Sequence, residues 1–338
     1  MHNLRLATAF ESFYSRNANL SKSPTLLPVG DVKNANSGQP LMWNNGAPYV
    51  ERRNWSEFAK SLTQTDIDFD PALRTLWQFM VPKERPSFTA DLIADITATL
   101  DFVESTWRRP AAEDDRAEFL VLGSRVPGIF NLGGDLPLFQ RLIETGDEAA
   151  LREYAYACVR GQYRLAVNLE LPLCTIALVQ GDALGGGFEA ALAHSIIVAE
   201  RSAKFALPEV LFNLFPGMGA YTFLARRLDP ARAERMILSG RVFTADELSA
   251  MGVIDVVAED GAGVEAVHDF IQQFRRSRRT RQSLLKVRQA SNPVRRQELF
   301  RIADLWVENA LSLDRADLRK MRHLAIAQDR RWSRIYAA

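Results

Sequence analysis

Apolar positions in this chain follow two alternating rhythms, after an opening stretch that follows neither. Residues 119–122, 175–179 and 195–199 are short, nearly continuous apolar runs, which predicts strands covered on both faces. Residues 73–80 mix aromatic and aliphatic side chains as a further strand would. Between them Phe88, Leu92, Ile96, Leu100 and Val103 recur at helical spacing, with Ser87 placed as an N-cap. Helical patterns alternate with the strands, so the class is α/β. Residues 252–257 read as the last core strand, and beyond Asp260 the pattern is helical throughout. There Leu299, Ile302, Ala303, Trp306, Ala310 and Leu313 share one helix face, and Leu318, Met321, Leu324 and Ala325 share another. Residues 15–46 are rich in Asn, Ser, Gly and Pro without a sustained period, which reads as linker. Three parts follow: an N-terminal arm at 1–68, a core at 69–260 and a helical region at 261–338.

With 338 residues, 47% of them hydrophobic, the chain can bury a sizeable core in one large domain or two unequal ones. Its 42 basic and 41 acidic residues leave a net charge of +1, so no global field favours nucleic acid or an anionic membrane. The two cysteines, Cys158 and Cys174, lie in apolar runs and suggest a reduced, cytoplasmic setting rather than a disulfide framework. No apolar run approaches the ~18 residues of a membrane span, and the N-terminus shows no signal-peptide apolar core.

The chemistry concentrates in residues 176–209. A strand runs into Gly185-Gly186-Gly187-Phe188-Glu189, and twenty positions later Glu209 stands in Leu207-Pro208-Glu209. Glycines let backbone N–H groups approach a ligand oxygen that side chains would block. If the helix begins near Phe188, the Gly186 N–H lies at its positive end, suited to a developing oxyanion. A plain strand-to-helix turn would need the same glycines. Gly185-x-Gly187-x-x-Ala190 also matches a dinucleotide fingerprint, but the next strand begins too soon for the crossover helix and acidic ribose ligand that motif requires. Glu189 would be favoured in a helix's first turn by the dipole alone, and Glu209 in an apolar setting is costly unless used. Together with the glycines, the two read as an acid/base pair whose burial separates their proton affinities.

A second backbone-donor loop, Asn131-Leu132-Gly133-Gly134-Asp135, follows the strand at 119–122. The Leu132 N–H is the expected partner of Gly186 in an oxyanion hole, and Asp135 reads as a helix cap. Metal-binding His-Glu-x-x-His, Cys-x-x-Cys, Gly-x-Ser-x-Gly and the phosphate-binding P-loop are missing from the sequence, so no metal or resident cofactor is expected. His194 closes an alanine-rich run and reads as a core histidine.

These segments, with Phe215-Pro216-Gly217-Met218-Gly219, resemble the crotonase (enoyl-CoA hydratase/isomerase) superfamily over about residues 73–260. The resemblance implies a spiral of ββα units followed by a helical C-terminal region, assembled as a trimer or a dimer of trimers. It implies Glu189 and Glu209 as catalytic acid/base residues, with the Leu132 and Gly186 N–H groups as oxyanion hole. Within the superfamily, Phe130–Leu136 in sequence, Cys158-Val159-Arg160-Gly161, residues 207–221 and the tail at 302–331 are most similar to diffusible-signal-factor synthases. Those enzymes dehydrate a 3-hydroxyacyl-acyl carrier protein and cleave its thioester, releasing a cis-2-unsaturated fatty acid signal. Leu136, Met218 and Trp306 are then candidates for the acyl-pocket wall, with ordinary core packing as the alternative. Arg275, Arg276, Arg278, Arg279 and Arg281 are candidates for docking an acidic carrier protein or coenzyme A phosphates, with a solvated face as the alternative. Two rival readings stand beside the synthase. One is a CoA-dependent hydratase, dehydratase or isomerase; the other is a paralogue without catalysis that binds acyl chains or a sensor protein.

Overall fold

In a computed structural model, residues 55–108 and 116–336 are described; the linker reading at 15–46 lies outside them. Helix α1 (Trp55–Ala59) and strand β1 (Thr65–Asp70) precede β2 (Thr75–Met80) and α2 (Ala90–Arg108). Next come β3 (Phe119–Ser124), β4 (Ile129–Asn131), α3 (Leu136–Thr145) and α4 (Glu148–Ala166). The following units are β5 (Cys174–Val179), β6 (Asp182–Leu184) and α5 (Gly186–Leu192), then β7 (Ile196–Glu200), β8 (Lys204–Ala206) and α6 (Ala220–Arg227). Helix α7 (Pro230–Ser239), β9 (Phe243–Thr244), α8 (Ala245–Ala250) and β10 (Val256–Ala258) close the core. Four helices follow: α9 (Gly263–Arg276), α10 (Arg278–Ser291), α11 (Arg296–Leu311) and α12 (Arg315–Tyr336).

Strands pair as β1-β2-β3-β5-β7-β10 in one sheet and β4-β6-β8-β9 in another. Each of β3, β5 and β7 joins the large sheet, and the strand that follows it joins the small one, with parallel pairing along both series. This is the spiral of ββα units expected. The continuous apolar runs are explained by cover on both faces. Leu120, Leu122, Ala177 and Val179 face α2 and α4, while Phe119, Val121, Ile176 and Leu178 face Val267, Phe270, Ile271 and Phe274 of α9.

Three expectations need correction. The core begins before residue 69: β1 pairs with β2 along its whole length, and Trp55 and Phe58 pack on Phe102. The Thr-Asp-Ile-Asp-Phe-Asp sequence of β1 hides this, since it is an edge strand with acidic residues on its open face. Thr89, not Ser87, caps α2, its hydroxyl accepting the Leu92 N–H at 3.3 Å. Phe88 stands before that helix, because its N–H donates to the Gly133 carbonyl at 2.8 Å. At 252–257 only the end is strand; the Asp255 carboxylate instead accepts the Ile197 N–H at 2.8 Å.

One buried carboxylate ties the N-terminal elements down. Asp95 Oδ2 on α2 accepts the N–H groups of Thr63, Gln64 and Thr65 at 2.7, 2.5 and 3.1 Å. Asp95→Ala strands those donors and should lower stability to urea by about 3 kcal/mol, with Asp95→Asn losing less. Equal stability of wild type and Asp95→Ala in urea titrations would show that the anchor is idle.

Candidate active site

Helix α5 is short because it fills the space between the two sheets, all seven residues being buried. Its entry explains the glycine run. Gly185 has φ +52° and ψ −125°, and a Cβ there would stand 2.5 Å from Glu209 Oε1. At Gly187 a Cβ would meet the Asn131 carbonyl oxygen at 2.1 Å. The run therefore lets α5 close on β4 and lets a carboxylate lie against bare backbone.

Glu189, one turn into α5, is 1% exposed. Its Oε1 accepts the N–H groups of Met218 and Ala220 at 2.8 and 3.0 Å. Burial pushes this carboxyl up to about 7, against the pull of those two donors. Glu209 sits on the 3-10 turn Pro208–Phe212, and its Oε2 is buried without a hydrogen-bond partner. Burial, and then the Glu189 charge, raise its carboxyl well above the ordinary range. Of the two, Glu189 has the donors that favour ionisation, and Glu209 is the one held neutral. The proton is held more tightly by Glu209 than by Glu189.

Both glutamates line one cavity of about 40 Å³. Gly185, Gly186 and the Leu132-Gly133-Gly134 loop form one side of it. Leu136, Met218 and Trp306 also line it, so all three acyl-wall candidates converge on the carboxylates. Trp306 on α11 is 2% exposed and meets Phe139 edge-on at 5.1 Å. The Gly186 N–H belongs to the first turn of α5 and has no carbonyl to take within the helix. The Leu132 N–H is not available in the same way, because it donates to the Pro86 carbonyl at 2.7 Å. The Gly133 N–H donates to Asn131 Oδ1 at 2.8 Å. The loop's amide beside Gly186 is that of Gly134, 3.4 Å from where a Gly186 Cβ would stand.

Asp135 caps α3 as expected, accepting the Leu138 N–H at 3.2 Å and pairing with Arg85 at 2.9 Å. His194 is a core residue: 2% exposed, with Nδ1 on the Ala190 carbonyl, and pushed down to about 4 by burial. The arginine cluster lies at the junction of α9 and α10, and none of the five lines the cavity. Arg275 bonds the Ala72 carbonyl, Arg278 pairs with Glu118, and Arg281 lies over Phe270 and Phe274. Arg276 and Arg279 are exposed.

Two cavity residues, Tyr154 and Gln162, lie outside every motif of the sequence analysis, and others come from its less specific segments. Tyr154, Cys158 and Gln162 project from α4 at helical spacing. The Tyr154 hydroxyl donates to the Phe88 carbonyl at 2.5 Å and accepts the Asp135 N–H at 3.3 Å. Leu324 and Gln328 enter from α12, where Gln328 Nε2 donates to the Leu132 carbonyl at 3.0 Å. Arg331, one turn on, reaches Asp182 and the Gly128 carbonyl. A buried polar residue on an otherwise apolar helix face was the available signal for Gln162 and Gln328. A larger open groove of about 950 Å³ runs between α2, α3 and α4 and shares Tyr154 with the cavity, but neither glutamate reaches it.

The enoyl-CoA hydratase/isomerase family model matches residues 76–302, and the chain belongs to that family. It is 32% identical over 184 residues to the mitochondrial methylglutaconyl-CoA hydratase of Rattus norvegicus, covering 54% of this chain and 53% of that protein. To a carnitinyl-CoA dehydratase of Salmonella heidelberg it is 37% identical over 107 residues, 32% of this chain and 40% of that one. The chain spans about half the length of the curated relatives it matches. Among solved structures, an enoyl-CoA hydratase from Bacillus halodurans superposes with a TM-score of 0.64 at 20% identity, over 77% of this chain and 98% of that one. Pseudomonas aeruginosa DspI gives 0.57 at 25% identity, over 72% and 95%. Among the described residues no helix is long and apolar enough to cross a membrane.

Two outcomes are expected. Gly185→Ala forces a Cβ into Glu209 and a strained backbone of roughly 1–3 kcal/mol; it should lower both the melting temperature and turnover, and wild-type turnover would show that the close approach is dispensable. The second concerns pH. Glu189 titrates at an ordinary 4.5 when exposed and at about 7 in the fold. Between those values the folded protein keeps a proton the unfolded chain has lost, so stability falls as pH rises through that window. Glu189→Gln should make the decline in denaturant midpoints from about pH 4.5 to 7 shallower, the remainder coming from Glu209; an unchanged slope would show that Glu189 is not a titrating group there.

Proposed function

We propose that this protein dehydrates a 3-hydroxyacyl-acyl carrier protein and cleaves its thioester, releasing a 2-unsaturated fatty acid signal. The supporting observation is convergence. Leu132, Gly133, Gly134, Leu136, Cys158, Met218, Trp306 and Leu324 belong to the segments most similar to diffusible-signal-factor synthases, and all meet around the paired glutamates.

The chemistry follows from the pair. The Glu209 carboxylate takes a proton from C2, and the electron pair moves onto the thioester oxygen. The Gly186 N–H holds that enolate oxygen, with the Gly134 N–H beside it as second donor. The enolate then re-forms its carbonyl, the C2–C3 double bond closes, and the C3–O bond breaks as oxygen takes the Glu189 proton and leaves as water. A second water, deprotonated by a glutamate, adds to the carbonyl; the C–S bond breaks and the carrier thiol leaves protonated. This direction starts with Glu189 protonated and Glu209 ionised. The apolar wall of Leu136, Met218 and Trp306 receives the acyl chain. No resident metal or cofactor takes part, and the active form is a homotrimer or dimer of trimers in the cytoplasm, with a sensor protein as a further partner.

A second reading has its own observation. With Glu209 holding its proton more tightly than Glu189, the pair is suited to the reverse direction: Glu189 takes a proton from water as it adds at C3, and Glu209 delivers one to C2. That is hydration of an enoyl thioester, and the matched relatives include CoA hydratases.

The test is mass spectrometry of acids released from 3-hydroxyacyl-carrier protein. Wild type should release a free 2-enoic acid, and Glu189→Ala and Glu209→Ala should each lose roughly 10²–10⁴ in rate. Hydration of an enoyl-CoA with no acid released would instead favour the hydratase, and full turnover by Glu209→Ala would overturn both.

A further inference from the structure

Gln162 brings a neutral amide into the cavity. It is 7% exposed on α4 and lines the same cavity as both glutamates. Its Oε1 is buried without a hydrogen-bond partner, as is Glu209 Oε2. A Cβ at Gly219 would lie 3.1 Å from that Oε1, and Gly219 separates Met218 from Ala220, the two residues whose N–H groups hold Glu189. The amide oxygen is thus set against the backbone clamp of one glutamate and shares a cavity with the other.

A buried carbonyl left unpaired is costly, so a fold that keeps one beside its reacting groups is using it. The acceptor needs a donor. Around it the Met218 and Ala220 N–H groups are committed to Glu189 and the Tyr154 hydroxyl to the Phe88 carbonyl, and the rest of the wall is mainly aromatic and aliphatic. Hydration and dehydration, in contrast, both place a hydroxyl or a water at C3. The cavity, at about 40 Å³, is large enough to take an oxygen-centred group of water size beside that amide. We propose that Gln162 Oε1 accepts a hydrogen bond from the C3 hydroxyl, or from the water that adds there. The interaction turns the oxygen's lone pair towards the Glu189 carboxyl and makes Gln162 the residue that selects 3-hydroxyacyl over saturated acyl thioesters. This inference rests on the acid/base reading of the glutamates and holds for either direction of the reaction.

The test uses Gln162→Met, which keeps length and flexibility and removes the acceptor, with 3-hydroxydecanoyl-CoA and decanoyl-CoA as probes. Wild type should bind the hydroxylated probe more tightly. In Gln162→Met that preference should shrink about tenfold, while inhibition by decanoyl-CoA stays unchanged and kcat/KM falls. The melting temperature should hold or rise, since an orphan acceptor has been removed from the interior. Equal weakening of both probes, or a lower melting temperature, would assign Gln162 a packing role and overturn the proposal. Wild-type turnover that Gln162→Met matches in full would overturn it alone, leaving the acid/base reading intact. A wild type that neither hydrates nor dehydrates would remove that reading, and the proposal with it.

Discussion

Two carboxyl groups are forced into one small, nearly dry space, and much of the surrounding structure answers that constraint. An isolated buried carboxylate is expensive, and two adjacent ones cannot both ionise. The chain resolves this asymmetrically. Glu189 receives two backbone N–H groups from the segment between β8 and α6, while Glu209 is laid against the bare backbone of Gly185 and left one oxygen without a donor. The pair therefore gives up its protons in a built-in order, Glu189 before Glu209.

That asymmetry depends on the spiral. Because β5 and β6 feed separate sheets, the glycine turn falls between layers and aims the start of α5 inward. The next turn of the spiral brings Glu209 to the same spot after β8. Cover then comes from distant helices: Trp306 from α11, Leu324 and Gln328 from α12. Apolar burial raises both proton affinities, so these helices tune the acid/base pair without touching a proton.

Much of this was legible in the sequence, for physical reasons that can be named. Strands covered on both faces leave continuous apolar runs, and a turn that brings a carboxylate against a main chain leaves glycines. What misled was local propensity overridden by tertiary pairing. Ser87 has a capping side chain, yet Phe88 is drawn to Gly133 and the helix starts later. The acidic edge strand β1 lacks the apolar pattern of an inner strand. The Leu132 amide sits in the right loop, but its commitment to Pro86 comes from a contact across the chain that no spacing reveals. Gln162 carries no motif, and its only signal was a polar side chain on an apolar helix face.

The contribution of α12 has a consequence for how the enzyme comes into being. Leu324 and Gln328 are synthesised well after both glutamates, and Gln328 ties its helix to the loop that begins at Leu132. Without α12 docked, the cavity would stand open on that side, and the burial that raises both proton affinities would be weaker.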